Sequence, residues 1–456
     1  MRILMTPWPT PAHLYPVVPL AWALQAAGHD VRVAAHPALA ETTAACGLPA
    51  VSLGEADSVS MPLGPGRPQP KSVTEKLLRI KEALRLAPED VDTFDVFYQF
   101  MLPAMWEFHP IEATPADEHE VLDALVDFAK DWQPDLVLWD PCFPGGAVAA
   151  RACGAAHGRV LWGQDYFGWV LDRIAERADG PGPVPEENPM IEAVRASAAR
   201  YDIEVDTELL LGQWTIDPTP VGVRLPTKDV RTISMRWVPF AMQNTAPTRL
   251  PAPSGKPRIA LSLGLSQRTH FEGGWDHVPP LMEMLSTMDV EVVATLNDAQ
   301  LANVPALPDN VHVVDYVPLS QLLSTCTAAI HHGGMGTFAA CCAANVPQLV
   351  AYSDVDNHMI TIEKDGLEWS MVAKHTEAEI TANHITERGA GGSLYVDPSN
   401  VDGMRKVLEE LLTEPSFRAA AQSLYDDQVA MPSPLEVVGV VERLVAEQLG
   451  RKQGRA

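Results

Sequence analysis

Short apolar runs that alternate with helical periods constrain the fold of this chain more than any other feature. Residues 2–6 are strand-like, 17–27 have helical spacing and stop at Gly28, 29–35 are strand-like again, and a helix near 39–46 stops at Gly47. Strands apolar on both faces, separated by helices, build a parallel sheet covered on both sides. The pattern returns at 134–139, 146–153 and 159–162. It begins afresh at 258–264, 290–296, 311–317, 328–332, 348–352 and 371–374. A chain of 456 residues exceeds one core, so an α/β architecture of two Rossmann-like domains is expected.

The alternation breaks over about 58–131, where MPLGPGRPQP leads into the helical periods KSVTEKLLRIKEALRLA and EHEVLDALVDFAKDW. A helical insertion is expected there, of the kind that shapes a binding cleft or a partner surface. Residues 238–257 (VPFAMQNTAPTRLPAPSGKP) lack periodicity and read as a linker. The domains are then 1–237, carrying the insertion, and 258–456. The last helix, near 434–449, follows the end of the sheet pattern and is available to pack back on the first domain.

A formal net charge of -26 repels phosphate backbones and anionic lipid, so neither nucleic acid nor a membrane is an expected partner. An anionic small ligand would need locally placed amides and dipoles. Cys46, Cys142, Cys153, Cys326, Cys341 and Cys342 lack metal-ligand spacing and read as buried reduced thiols, so no metal is expected. No apolar stretch approaches the roughly 20 residues that span a bilayer, and the chain enters a strand at once, so a cytoplasmic protein is expected.

The sharpest local feature is His331-His332-Gly333-Gly334-Met335-Gly336-Thr337, between strand-like TAAI and helix-like FAACCAA. Glycines admit a ligand close to backbone N–H groups, and the positive end of a helix attracts a diphosphate. Either imidazole is a candidate donor to an anionic oxygen; the plain alternative is a turn that merely needs glycines. Ser266, after Leu263-Gly264-Leu265, either meets a phosphate or caps a helix. Tyr316 and Val317 close another strand, where a ring and a backbone group suit a pyrimidine or simply the core. Asp356 and Asn357, in SDVDNH, suit sugar hydroxyls or an N-cap.

In the first domain, His13 lies on the loop TPWPTPAHLYP after the first strand. A neutral histidine can take a proton from an acceptor hydroxyl, and a carboxylate on its other nitrogen would orient it. Asp140, ending the strand PDLVLW, is the candidate carboxylate; a surface loop histidine is the alternative reading.

Taken together, AHLYPVVPLAWALQAAGHDVRVAAHPAL, PDLVLWDP, GQWTIDPTP, HHGGMGT and PSPLEVV resemble the actinobacterial antibiotic glycosyltransferases of the family 1 class. Within it the likeness is to macrolide enzymes that transfer thymidine diphosphate (TDP)-activated deoxysugars or aminodeoxysugars, with a spinosyn-type forosaminyltransferase as a nearer match. The resemblance implies a GT-B fold, two Rossmann-like domains facing each other across a cleft. Acceptor would bind the first domain and nucleotide sugar the second. The implied reaction is an inverting displacement without metal or cofactor, the TDP-sugar being substrate.

Carried over by motif, the resemblance makes His13 the general base and Asp140 its partner. His331, Gly333, Gly334, Gly336 and Thr337 form the diphosphate cradle, with Ser266 a second phosphate contact and Val317 a backbone contact to the base. Asp356 and Asn357 take the sugar position, where many members have Asp-Gln or Asp-Thr. Tyr316 replaces the usual tryptophan. The same resemblance gives the insertion to the acceptor and, in several members, to an auxiliary partner resembling a cytochrome P450 without its haem role. It leaves the oligomeric state open, a homodimer included.

Two rival readings differ in class: a GT-B epimerase that turns over nucleotide sugar without an acceptor, and a catalytically silent nucleotide-sugar-binding or scaffold protein. A nicotinamide dehydrogenase is disfavoured because TPWPTPAH, not G-x-G-x-x-G, follows the first strand.

Overall fold

The computed structural model describes all residues except 56–58, 60–70, 107–112, 179–187, 229, 243–249, 265–274, 354–358, 365–366, 373–375 and 454–456. The chain divides into two compact units. The first comprises 1–219, 224–236 and 432–456, and the second 220–223 and 237–431.

The first unit is built on seven parallel strands: β1 (Arg2–Thr6), β2 (Asp30–Ala35), β3 (Ala50–Ser52), β4 (Leu136–Trp139), β5 (Ala156–Val160), β6 (Thr215–Asp217) and β7 (Thr232–Ser234). Their order is β3-β2-β1-β4-β5-β6-β7. The direction of winding therefore reverses beside β1, which pairs with β2 on one side and β4 on the other. Every residue of β4 and β5 is buried, which accounts for the unbroken apolar run LVLW of β4, whereas β5 buries His157 and Arg159, the latter paired with Asp165 at 2.6 Å. The 58–131 stretch supplies helices Lys71–Leu84, Val91–Val96, Leu102–Trp106 and Glu120–Trp132, with no strand among its described residues. The helix Pro434–Gln453 counts with this unit up to its end, and Glu442 reaches His29 at 3.0 Å.

The second unit holds six parallel strands: β8 (Arg258–Ser262), β9 (Glu291–Thr295), β10 (Val311–Val314), β11 (Ala328–His331), β12 (Gln348–Tyr352) and, after the hairpin β13 (Met359–Lys364) and β14 (Leu367–Val372), β15 (Gly391–Tyr395). The order β10-β9-β8-β11-β12-β15 again reverses beside the unit's first strand. Ile259, Leu261, Ile330 and Leu349, at most 2% exposed, lie at its core.

One sequence expectation is corrected here. Residues 371–374 were expected to be a strand of the main sheet, yet β14 pairs antiparallel with β13 in a separate hairpin. The place beside β12 belongs to β15. That strand, GGSLY, opens with two glycines and gives no apolar run to read. Gly391 is there because a Cβ would stand 1.9 Å from the Gln348 carbonyl oxygen, so two backbones approach where no side chain fits.

Candidate active site

Ligand sites of open α/β sheets gather at the carboxyl ends of strands, where the winding reverses. In the first unit that point lies between β1 and β4. The chain leaving β1 turns through the short helix Pro11–Leu14, which carries His13, and Asp140 directly follows β4. Their strand ends are in register, Thr6 against Trp139. The two side chains meet: His13 Nδ1 lies 2.8 Å from Asp140 Oδ2. A carboxylate only accepts, so Nδ1 carries a proton, and in the neutral imidazole Nε2 then keeps its lone pair. The His13 side chain is 13% exposed and that of Asp140 3%, so the pair is partly dry but reachable.

Asp140 is held on its other oxygen too. Oδ1 accepts from the Cys142 backbone N–H at 2.8 Å and from Trp162 Nε1 at 3.3 Å. Cys142 also completes, with His13 and Asp140, the one group of three donors among the described residues whose ligand atoms lie within 4.8 Å of one another. Burial, then the charge of Asp140, pushes its thiol well above the ordinary range. All six cysteines are free.

The equivalent reversal in the second unit falls between β8 and β11. β8 runs into Leu263-Gly264, and β11 ends at His331, the start of His331-His332-Gly333-Gly334. These loops abut: a Cβ on Gly264 would stand 2.6 Å, and one on Gly334 2.3 Å, from atoms of the His332 ring. Gly334 caps the helix Met335–Ala343, whose first turn contains Gly336 and Thr337. Helix starts present unpaired N–H groups and partial positive charge, the natural seat of an anion.

The two histidines part company. His332 lies in the loop, whereas His331 is fully buried; its Nε2 meets Gln348 Oε1 at 2.9 Å and its Nδ1 accepts from Gly333 N–H at 3.1 Å. Both nitrogens of His331 are thus engaged within the protein, and its role is to fix the glycine turn rather than to extend a ring toward an oxyanion. Burial, then neighbouring His332, lowers its pKa to about 3. An unfolded histidine titrates near 6.5, so protons bind the unfolded chain better between the two values. The resulting stability is complete above pH ~6.5 and is lost as pH falls toward 3. The second unit should lose about 2 kcal/mol between pH 6.5 and 5, at roughly 1.4 kcal/mol per pH unit. Thermal melts across this range test it: His331→Asn, which offers Gly333 an acceptor but cannot protonate, should flatten the dependence.

Tyr316 follows β10 and donates its hydroxyl to the Met242 carbonyl at 3.2 Å, and Val317 is buried. Ser266, Asp356 and Asn357 lie outside the described residues. The structure adds Glu377, which sequence reasoning missed. Its Oε1 accepts from Met335 N–H, the first amide of the helix behind the histidine loop, at 3.0 Å, and burial raises its carboxyl pKa. An acidic residue in the first turn of its own helix, Thr376–Glu387, reads in sequence as an ordinary dipole complement. Nothing in sequence links it to a residue 42 positions away.

Models of the Erythromycin biosynthesis protein CIII-like family match most of the chain. The N-terminal domain model covers residues 22–264, and the C-terminal domain model covers 280–364 and 358–444, the two pieces overlapping at β13. The 10-deoxymethynolide desosaminyltransferase of Streptomyces venezuelae is 36% identical, over 98% of each chain. Among solved structures, the glycosyltransferase VinC in complex with dTDP matches with a TM-score of 0.74 at 30% identity, covering 98% of this chain and 100% of its own. Spinosyn forosaminyltransferase SpnP matches with a TM-score of 0.73 at 33% identity, covering 98% and 99%. The two parallel-sheet units are those of the GT-B fold. The chain belongs to the Erythromycin biosynthesis protein CIII-like family and is a glycosyltransferase.

Proposed function

We propose that this enzyme moves a deoxysugar or aminodeoxysugar from a TDP donor to a hydroxyl of a polyketide-type natural product, with inversion and without a metal or cofactor. The observation that carries the proposal is the His13–Asp140 pair at the strand reversal of the first unit. With Nδ1 protonated, Nε2 accepts the proton of the acceptor hydroxyl as its oxygen attacks the anomeric carbon, and Asp140 stabilises the imidazolium. The departing diphosphate gathers charge as the C–O bond breaks. The positive start of the helix Met335–Ala343 is suited to hold it, Met335 N–H exchanging its bond to Glu377 Oε1 for one to the diphosphate. Glu377, held to that helix start by Met335 N–H, is a candidate to accept from a sugar hydroxyl or ammonium. A direct displacement forms no covalent intermediate, so one base suffices. The desosaminyltransferase relative and the dTDP bound to VinC support the choice of donor.

Calorimetry with TDP, uridine diphosphate and adenosine diphosphate tests the donor side. TDP should bind at least tenfold tighter than the adenine nucleotide, a difference of about 1.4 kcal/mol; equal affinities would remove the pyrimidine reading. Transfer to a macrolactone, with the new anomeric centre read by NMR, tests inversion. Donor turnover without acceptor would instead favour the epimerase.

A further inference from the structure

We propose that Trp162 is a positioning residue that holds the orientation of the His13–Asp140 pair, and with it the hydrogen bond that sets the His13 tautomer. The inference rests on the assignment of His13 as base. Trp162 lies just beyond β5 (Ala156–Val160), the neighbour of β4, so consecutive strands β1, β4 and β5 each deliver one member of the group at the same edge of the sheet. Its indole touches both others. The Nε1–H donates to Asp140 Oδ1 at 3.3 Å, and the ring lies over the His13 imidazole with centroids 4.0 Å apart and planes at 36°. Trp8, on the β1 loop, stands further away at 6.4 Å.

Each contact has a separate consequence. Indole N–H only donates, so with the Cys142 amide it commits Oδ1 to accepting and leaves Oδ2 to face His13 Nδ1. The carboxylate cannot rotate without abandoning two donors. The π-face favours a cation beside it, which supports the imidazolium formed when the base takes its proton. A tryptophan that only filled space would need its ring and not its N–H.

Two substitutions separate these contributions. Trp162→Phe keeps an aromatic face and loses the donor; Trp162→Leu loses both. Loss of a hydrogen bond to a charged group should lower kcat in Trp162→Phe by roughly tenfold with donor KM unchanged. Trp162→Leu should lose more, and the acid limb of its pH–rate profile should move to lower pH, because an imidazolium without the aromatic ring beside it gives up its proton more readily. Thermal melts and near-UV circular dichroism check that the first unit of each variant is folded, and Trp162→Phe carries the test if Trp162→Leu is not.

The deciding measurement needs no turnover: ¹⁵N NMR of the His13 ring, assigned with His13→Gln, in wild type and both variants. A changed tautomer balance in Trp162→Phe and a changed titration midpoint in Trp162→Leu establish the clamp. Unchanged tautomer and midpoint in both overturn it. Should the clamp be seen while His13→Ala still transfers sugar, the clamp stands and the assignment of the base falls.

Discussion

Replacing His13 with Ala should lower the rate of sugar transfer by roughly 10²- to 10⁴-fold, the usual yield of general-base catalysis. TDP affinity should stay within about twofold, since the histidine loop proposed to hold the diphosphate belongs to the second unit. The partner is expected to matter in an unusual order. Oδ1 of Asp140 accepts from both Cys142 N–H and Trp162 Nε1–H, so in Asp140→Asn the amide oxygen must take that side. The NH₂ then faces His13 Nδ1, which must accept, and the ring proton moves to Nε2, where the base needs its lone pair. Asp140→Asn should therefore be at least as damaging as Asp140→Ala, which leaves the tautomer unforced. Single-turnover rates with saturating donor decide between the orders. Near-full turnover of His13→Ala would send the proton to another group or to water.

What sequence could reveal follows from which interactions are local. Alternating periods exposed nearly every long strand, because burial on both faces is written into consecutive residues. They failed at β3, β6 and β7, three residues each, at the hairpin strand β13, and at β15, where two glycines replace the apolar run. His13 and Asp140 were nameable because each follows a recognisable strand and the sheet order then joins them. Trp162 ends the same kind of strand, but only the contact at 4.0 Å gives it meaning. His331 and His332 are adjacent and chemically identical. One belongs to the end of β11 and points into the interior, where Gln348 from the neighbouring strand waits, and no periodicity rule separates them.

Glycines of the histidine loop offer the sharpest test of which residues serve the fold and which serve the ligand. Gly333 has φ +91°, and a Cβ there would lie 2.5 Å from the Cα of Ala378. Left-handed strain of about 1–3 kcal/mol adds to an overpacking cost of about 1–3 kcal/mol, because the obstruction is backbone and cannot swing away. Gly333→Ala should therefore lower the melting temperature of the second unit by roughly 4–24 °C, given the 2–4 °C per kcal/mol typical of domains this size. TDP affinity should fall with it. Gly334→Ala meets the side-chain atom Nε2 of His332 at 2.3 Å, so its cost depends on whether that ring can yield. Gly336 is the opposite case, with nothing nearer than Trp237 Cζ2 at 3.8 Å, and it sits in the first turn of a helix where Ala is the better former by up to about 1 kcal/mol. Gly336→Ala should leave the melt unchanged or raise it. If the diphosphate rests on that turn, the added methyl occupies its approach, and TDP binding should weaken by roughly tenfold or more, about 1.4 kcal/mol. Stability and affinity would then fall together at Gly333 and part at Gly336, three positions on. A Gly336→Ala protein that binds TDP as wild type does would take the phosphate away from this helix, whatever Gly333→Ala does to the melt.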